Sequence, residues 1–199
     1  MPWFRRTPPP LPPSDRHVDV SGYPRYTSSD ARFAFSIRYP SEARANFHRF
    51  TSGHLCVDFD AHGETLFSVS FNDLRWHAER DRDAKAVVEG RKDHVWYVNQ
   101  ELAERKNAPE GPEGNPYKLH GDYWIMTDDA DLVTVGGARC AWVLFSNRQG
   151  QYDGERIFFW RRSRPDELWG IGYRSAYRAN HFNKLDHATF RAILATFED

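Results

Sequence analysis

Leu55-Cys56-Val57-Asp58-Phe59, the turn His62-Gly63-Glu64 and Leu66-Phe67-Ser68-Val69-Ser70-Phe71 read together as one β-hairpin. In each arm every second residue is apolar, the period of a strand with one buried face. Glycine in the connection permits the tight reversal that a short hairpin needs. Leu55, Val57 and Phe59 therefore face inward opposite Phe67, Val69 and Phe71. A sheet with one such face needs further strands, and the flanking sequence supplies them.

Upstream, Phe33, Phe35, Ile37 and Tyr39 alternate along a half-buried strand that Pro40 stops. Downstream, Ala138–Ser146 and Arg156–Arg162 are apolar enough for central strands, and Asn147–Gly154 fits a hairpin loop. Leu168–Arg174 places Trp169, Ile171 and Tyr173 on one face. Gly170 and Gly172 on the other face leave room for close packing, which predicts a helix against them.

Between the two groups of strands, residues 77–106 are charged and free of proline. Ala84, Val88, Val95, Val98 and Leu102 recur at helical spacing, predicting one or two helices with a break at Gly90. Val95-Trp96-Tyr97-Val98 also fits a strand. Residues 107–116 hold three prolines and two glycines and form a loop, an insertion or lid rather than a domain boundary. At the C-terminus Asp186 is a helix N-cap, Leu185 staples onto Phe190, and Phe190, Ile193, Leu194 and Phe197 make one apolar stripe. The fold class is α+β: an antiparallel sheet covered by helices, with the C-terminal amphipathic helix packed on the sheet.

With 199 residues, one domain can bury roughly 70% of its unfolded surface without a metal or disulfide. The expected organisation is a proline-rich flexible tail over 1–22 and one domain over 23–199. In the tail, Thr7–Pro13 favours polyproline II, and Arg6, Pro9 and Pro12 match the spacing of an SH3-type ligand as well as that of a stiff linker. Lys plus Arg (27) almost balances Asp plus Glu (28), which disfavours a nucleic-acid partner. The only basic clusters are Arg5-Arg6 and Arg161-Arg162 with Arg164. No window approaches the length of a membrane span, and Met1–Pro13 lacks the apolar region of a signal peptide. Cys56 and Cys140 sit far apart in apolar stretches, which favours buried free thiols over the alternative of a disulfide between them. A cytoplasmic location is expected, or a periplasmic one if a signal has been removed.

Phosphate-binding glycine loops, nucleophile elbows, His-Glu-x-x-His helices, Cys-x-x-Cys pairs and calcium loops are all missing from the sequence. Three constellations remain. His54, Cys56, Asp58 and Asp60 share a strand face with His62 just beyond, and imidazole, thiolate and carboxylate together suit a transition metal. His54, Asp58 and His62 are thus weak metal candidates, although neighbours at i and i+2 on a strand stand ~6–7 Å apart and favour a merely solvated face. His120 and Asp122 pair a base with a carboxylate, in a stretch that also reads as a simple turn. Trp96, Tyr97, Tyr117, Tyr123 and Trp124 flank the long loop and suit either a protein-binding face or a core.

The early strand closing in Tyr39-Pro40, and the Trp169–Tyr173 strand leading to Phe190-x-x-Ile193-Leu194-x-Thr196-Phe197, resemble the PsbP-like superfamily of α/β/α sandwiches. The resemblance covers Phe33 to Asp199, without the long loop or the proline tail. It implies a non-enzymatic role, as in accessory proteins and in bacterial cytoplasmic adaptors that chaperone or neutralise secreted effectors. It transfers no catalytic residue and no cofactor. The leading expectation is a protein-binding module of the adaptor, chaperone or immunity kind. The rivals are a metal-dependent or His/Asp hydrolase and a small-ligand carrier with an aromatic pocket.

Overall fold

The computed structural model describes residues 7–11, 17–50, 53–110, 118–127, 138–174 and 185–199. Tyr117 and much of the 107–116 loop lie outside them, as do Arg5, Arg6, Pro12 and Pro13. The described chain is α+β, with one large antiparallel sheet. In chain order come β1 (Arg25–Thr27), β2 (Ser36–Arg38), β3 (Arg44–Arg49), β4 (His54–Ala61), β5 (Glu64–Asp73), α1 (Leu74–His77), α2 (Arg82–Val88) and α3 (His94–Asn107). β6 (Tyr123–Thr127), β7 (Arg139–Ser146), β8 (Tyr152–Arg161), β9 (Arg164–Arg174) and α4 (His187–Leu194) follow.

The seven strands β3 to β9 are ordered β3-β4-β5-β9-β8-β7-β6, and β1-β2 make a separate pair. Two meanders, β3-β4-β5 and β6-β7-β8-β9, are thus joined where β5 pairs with β9. The β4–β5 hairpin has the expected register, Leu55↔Phe71, Val57↔Val69 and Phe59↔Phe67. Its connection is His62-Gly63 with both residues at positive φ (55° and 81°), the twist that matches the flanking strands.

Alternation divides the sheet into two faces. Val57, Val69, Trp142, Ile157, Phe159, Trp169 and Ile171 share one buried cluster with Phe33, Phe35, Ile37, Phe190, Ile193, Leu194 and Phe197. Trp169 lies at its centre, with ring centroids 5.1 Å from Phe33, 5.1 Å from Phe71 and 5.8 Å from Phe159. Such pairs each contribute roughly 0.5–1.5 kcal/mol beyond the area they bury. On the other face Ala141, Val143, Phe145, Phe158, Trp160 and Leu168 cluster with Leu74, Ala84, Val87, Tyr97, Val98 and Leu102.

Each of the four helices among the described residues opens on an aspartate whose carboxylate accepts a backbone N–H of the first turn. Asp73 accepts from Trp76, Asp81 from Asp83 and Ala84, Asp93 from Trp96, and Asp186 from Thr189. Each cap of this kind contributes ~1 kcal/mol. Gly90, at φ 70°, follows α2 as a left-handed terminator. Val95–Val98 is helical, within α3.

Three expectations need correction. Only Ser36–Arg38 of the Phe33–Tyr39 stretch is strand, although Phe33 and Phe35 are buried with it. The 1–22 tail is not uniformly free, because Val20 is buried and Val18 packs against the same core. The glycines of β9 face an arginine and not a helix. A Cβ at Gly172 would lie 2.7 Å from Arg156 Cγ and 2.9 Å from the Glu155 carbonyl oxygen, and one at Gly170 would lie 2.9 Å from Arg156 Nε.

Candidate functional site

The polar residues of β4 share one sheet face with Ser68, Ser70 and Asn72 of β5 but do not converge on a centre. His54 Nδ1 lies 2.5 Å from Asn72 Oδ1. Cys56 Sγ donates to Asp58 Oδ1 at 3.3 Å, and His48 Nε2 approaches the other Asp58 oxygen at 3.4 Å. Asp60 accepts from Asn46 Nδ2 (2.6 Å) and Thr65 Oγ1 (2.7 Å). His62 is exposed in the turn. Among the described residues no three His, Cys, Asp or Glu side chains are placed to hold a metal.

Electrostatics point the same way. Burial, followed by the Asp58 carboxylate, pushes the Cys56 thiol up to about 12, so it is a protonated thiol at neutral pH and a poor nucleophile. Burial holds His54 below its ordinary value, which keeps the imidazole neutral. Both cysteines are buried.

His120 and Asp122 flank Gly121, where a Cβ would fall 1.7 Å from the Ser146 carbonyl oxygen, so only glycine permits this approach to β7. His120 Nδ1 lies 2.7 Å from Arg148 Nη2 and 3.8 Å from Glu110. The Asp122 carboxylate accepts from Lys106.

The aromatic residues flanking the loop divide between the two sheet faces. Tyr97 is buried in the α3 cluster with its hydroxyl 3.4 Å from Asp81, and burial raises its pKa. Trp96 packs against that cluster beneath Lys92, whose Nζ lies 5.3 Å from its ring centroid. Tyr123 donates to Asn99 Oδ1 at 3.2 Å. Trp124, the next residue of β6, packs against the cluster on the opposite face. Strand alternation therefore separates Trp124 from Tyr123 and Trp96.

The structure brings together a different group, which sequence reading missed. Glu155, fully buried on β8, accepts from Trp142 Nε1 (2.6 Å) and Arg191 Nη2 (2.8 Å), while His187 Nδ1 lies 2.6 Å away. Tyr152 donates to it at 3.3 Å and lies 2.9 Å from the Tyr173 hydroxyl. Arg191 also stands over the Trp142 ring, 4.6 Å from its centroid. Burial, reinforced by Glu155, raises the pKa of Tyr152, and burial raises that of Tyr173. The group ties α4 to β7, β8 and β9. Its one sequence signal is a glutamate in the inward register Glu155-x-Ile157-x-Phe159.

The second missed feature is β3, one end of the sheet. Its outer edge has no partner strand among the described residues. Phe47 on this strand is 42% exposed and Phe50 just beyond it 50%, and with Leu11 they are the exposed large hydrophobic side chains among the described residues. Arg161 and Arg164 of the basic cluster meet Asp199 (2.5 Å) and Glu167 (3.3 Å). No helix among the described residues is long and apolar enough to cross a membrane. In comparisons with known proteins, the chain matches no family model, no curated protein and no solved structure.

Proposed function

We propose that this protein is a non-enzymatic protein-binding module of the adaptor, chaperone or immunity kind, and that β3 is its contact edge. The observation that carries the reading is the open edge of β3 with Phe47 and Phe50 exposed beside it. A strand edge offers a row of backbone donors and acceptors to an extended segment, and neighbouring aromatic rings supply anchors. Arg44 and Arg49 on the same strand are charges of the kind that keep an edge from pairing indiscriminately.

The engagement of the catalytic candidates also supports this reading over a hydrolytic one. His54 turns to Asn72, Asp58 to Cys56 and His48, His120 to Arg148, and Asp122 to Lys106. The layout we propose is an α/β/α sandwich of the PsbP-like kind, with α1–α3 on one face of the sheet and α4 on the other. Support comes from the two buried clusters, each mixing strand and helix side chains.

The test is affinity capture from the native source, comparing the wild-type chain with Phe47→Asp/Phe50→Asp. A partner recovered at near-equal stoichiometry by the wild type should be lost from the double variant, whose melting temperature should stay within a few degrees. A complex indifferent to both substitutions, or no stoichiometric partner for the wild type, would overturn the proposal.

A further inference from the structure

We infer that the cleft beside Arg156 binds a small organic oxyanion, a carboxylate or phosphate monoester with a compact apolar body. This site is separate from β3. The cleft has a volume of about 430 Å³ and is lined by Ser68, Arg105, Leu119, Phe145, Arg156 and Gly172, among others. That is within the range of small-molecule sites.

The arginine is built in rather than left over. Gly170 and Gly172 are glycines because the Arg156 side chain occupies the space their Cβ atoms would need. Its guanidinium is anchored through Nη2 to Ser70 Oγ at 2.5 Å and lies 5.1 Å from the Phe158 ring centroid. Yet among the described residues no carboxylate lies within ion-pair distance, and Nε is buried with no acceptor. Nη1 likewise has no acceptor among these residues. Nε is closed off where it packs over Gly170, so the donors left for a ligand are those of the Nη atoms, and an anchored guanidinium with Nη donors to spare is a group that recognises carboxylate and phosphate.

The rest of the lining fits an anion carrying an apolar group. Arg105 also lines the cleft, and Leu119 and Phe145 bring an apolar surface. Glu155 also borders the cleft, but its carboxylate is engaged by Trp142 and Arg191. Asp58 and Asp60 stand on β4 on the same face, where neighbouring side chains engage them. They set a limit on the charge a ligand can carry toward β4.

The test is calorimetric titration of the intact chain with phenyl phosphate, benzoate and, as a neutral counterpart, benzyl alcohol. Saturable binding of at least one of the two anions is expected, with much weaker binding of the alcohol. Arg156→Gln should weaken the anion roughly ten- to hundredfold, and Arg156→Lys should weaken it less. Should Arg156→Gln not fold, backbone amide shifts of the wild type decide the matter. Perturbations centred on Ser70, Gly170 and Gly172 support the site, and their absence overturns it. Failure of both anions to bind, or equal affinity for Arg156→Gln and wild type, also overturns it. Phe47→Asp/Phe50→Asp should leave this binding unchanged, which separates its outcome from that of the β3 proposal.

Discussion

Glu155 and Arg156 are one peptide bond apart on β8, and strand alternation sends them to opposite faces of the sheet. Both are charged side chains in a largely apolar protein interior, but their surroundings differ. Glu155 is enclosed and met by Trp142, Arg191, His187 and Tyr152. Arg156 is half-buried, anchored by one serine, and borders open space. A buried charge with every lone pair engaged fixes a structure, whereas one with donors left over is available for a ligand. The difference between positions 155 and 156 is thus one of satisfaction rather than of charge.

The strongest way to break this comparison is at Glu155. Glu155→Ala strips the acceptor from Trp142 Nε1 and leaves Arg191 facing an apolar cluster, so it should cost about 3–5 kcal/mol of unfolding free energy in urea. A loss below about 1 kcal/mol would show that the cluster relaxes around the missing carboxylate.

A second contrast, smaller in size, is pH. On the Arg156 face burial keeps His54 and His94 below the ordinary histidine value of 6.5, so the unfolded chain takes up their protons first. Their contribution is therefore full above 6.5 and is lost as pH falls through the folded values. On the Glu155 face Tyr152 and Tyr173 are raised above 10, so their contribution is full below 10 and is lost as pH climbs beyond it; Tyr97 adds the same trend on the other face. Unfolding midpoints should fall at both extremes. His94→Asn should flatten the acid limb and Tyr152→Phe the alkaline one.

The smallest effect is expected from Arg156→Met, which keeps the stem over the two glycines and removes one hydrogen bond to Ser70 and the guanidinium beside the Phe158 ring. Stability should change by no more than about 1 kcal/mol in chemical denaturation. A loss comparable to that of Glu155→Ala would make Arg156 a structural clamp.

The regular part of the fold was legible where the pattern is local. The β4–β5 hairpin has period 2 on both arms and a two-residue turn between them. The α4 stripe begins at its own cap, and the α2–α3 break falls on the glycine that permits it. Reading failed where the determinant is distant in sequence. Glu155 stands out from Ile157 and Phe159 in its own strand, but His187 and Arg191 are 32 and 36 residues away. The glycines of β9 announced close packing without saying what would pack, because Arg156 belongs to the neighbouring strand. The loop-flanking aromatics were grouped by proximity in the chain, and β6 then turned Tyr123 and Trp124 to opposite sides. Arg161 likewise finds its carboxylate only at Asp199, 38 residues further on.

The seam between β5 and β9 carries a kinetic consequence. Every other pairing in the large sheet joins consecutive strands, whereas Ser70 meets Gly170 across 100 residues of chain. Each meander can form from neighbouring segments on its own timescale, but zipping β5 to β9 has to close the loop that contains α1–α3 and β6–β8. That closure is the step of highest contact order, and it sets the tempo at which the chain becomes a single cooperative unit.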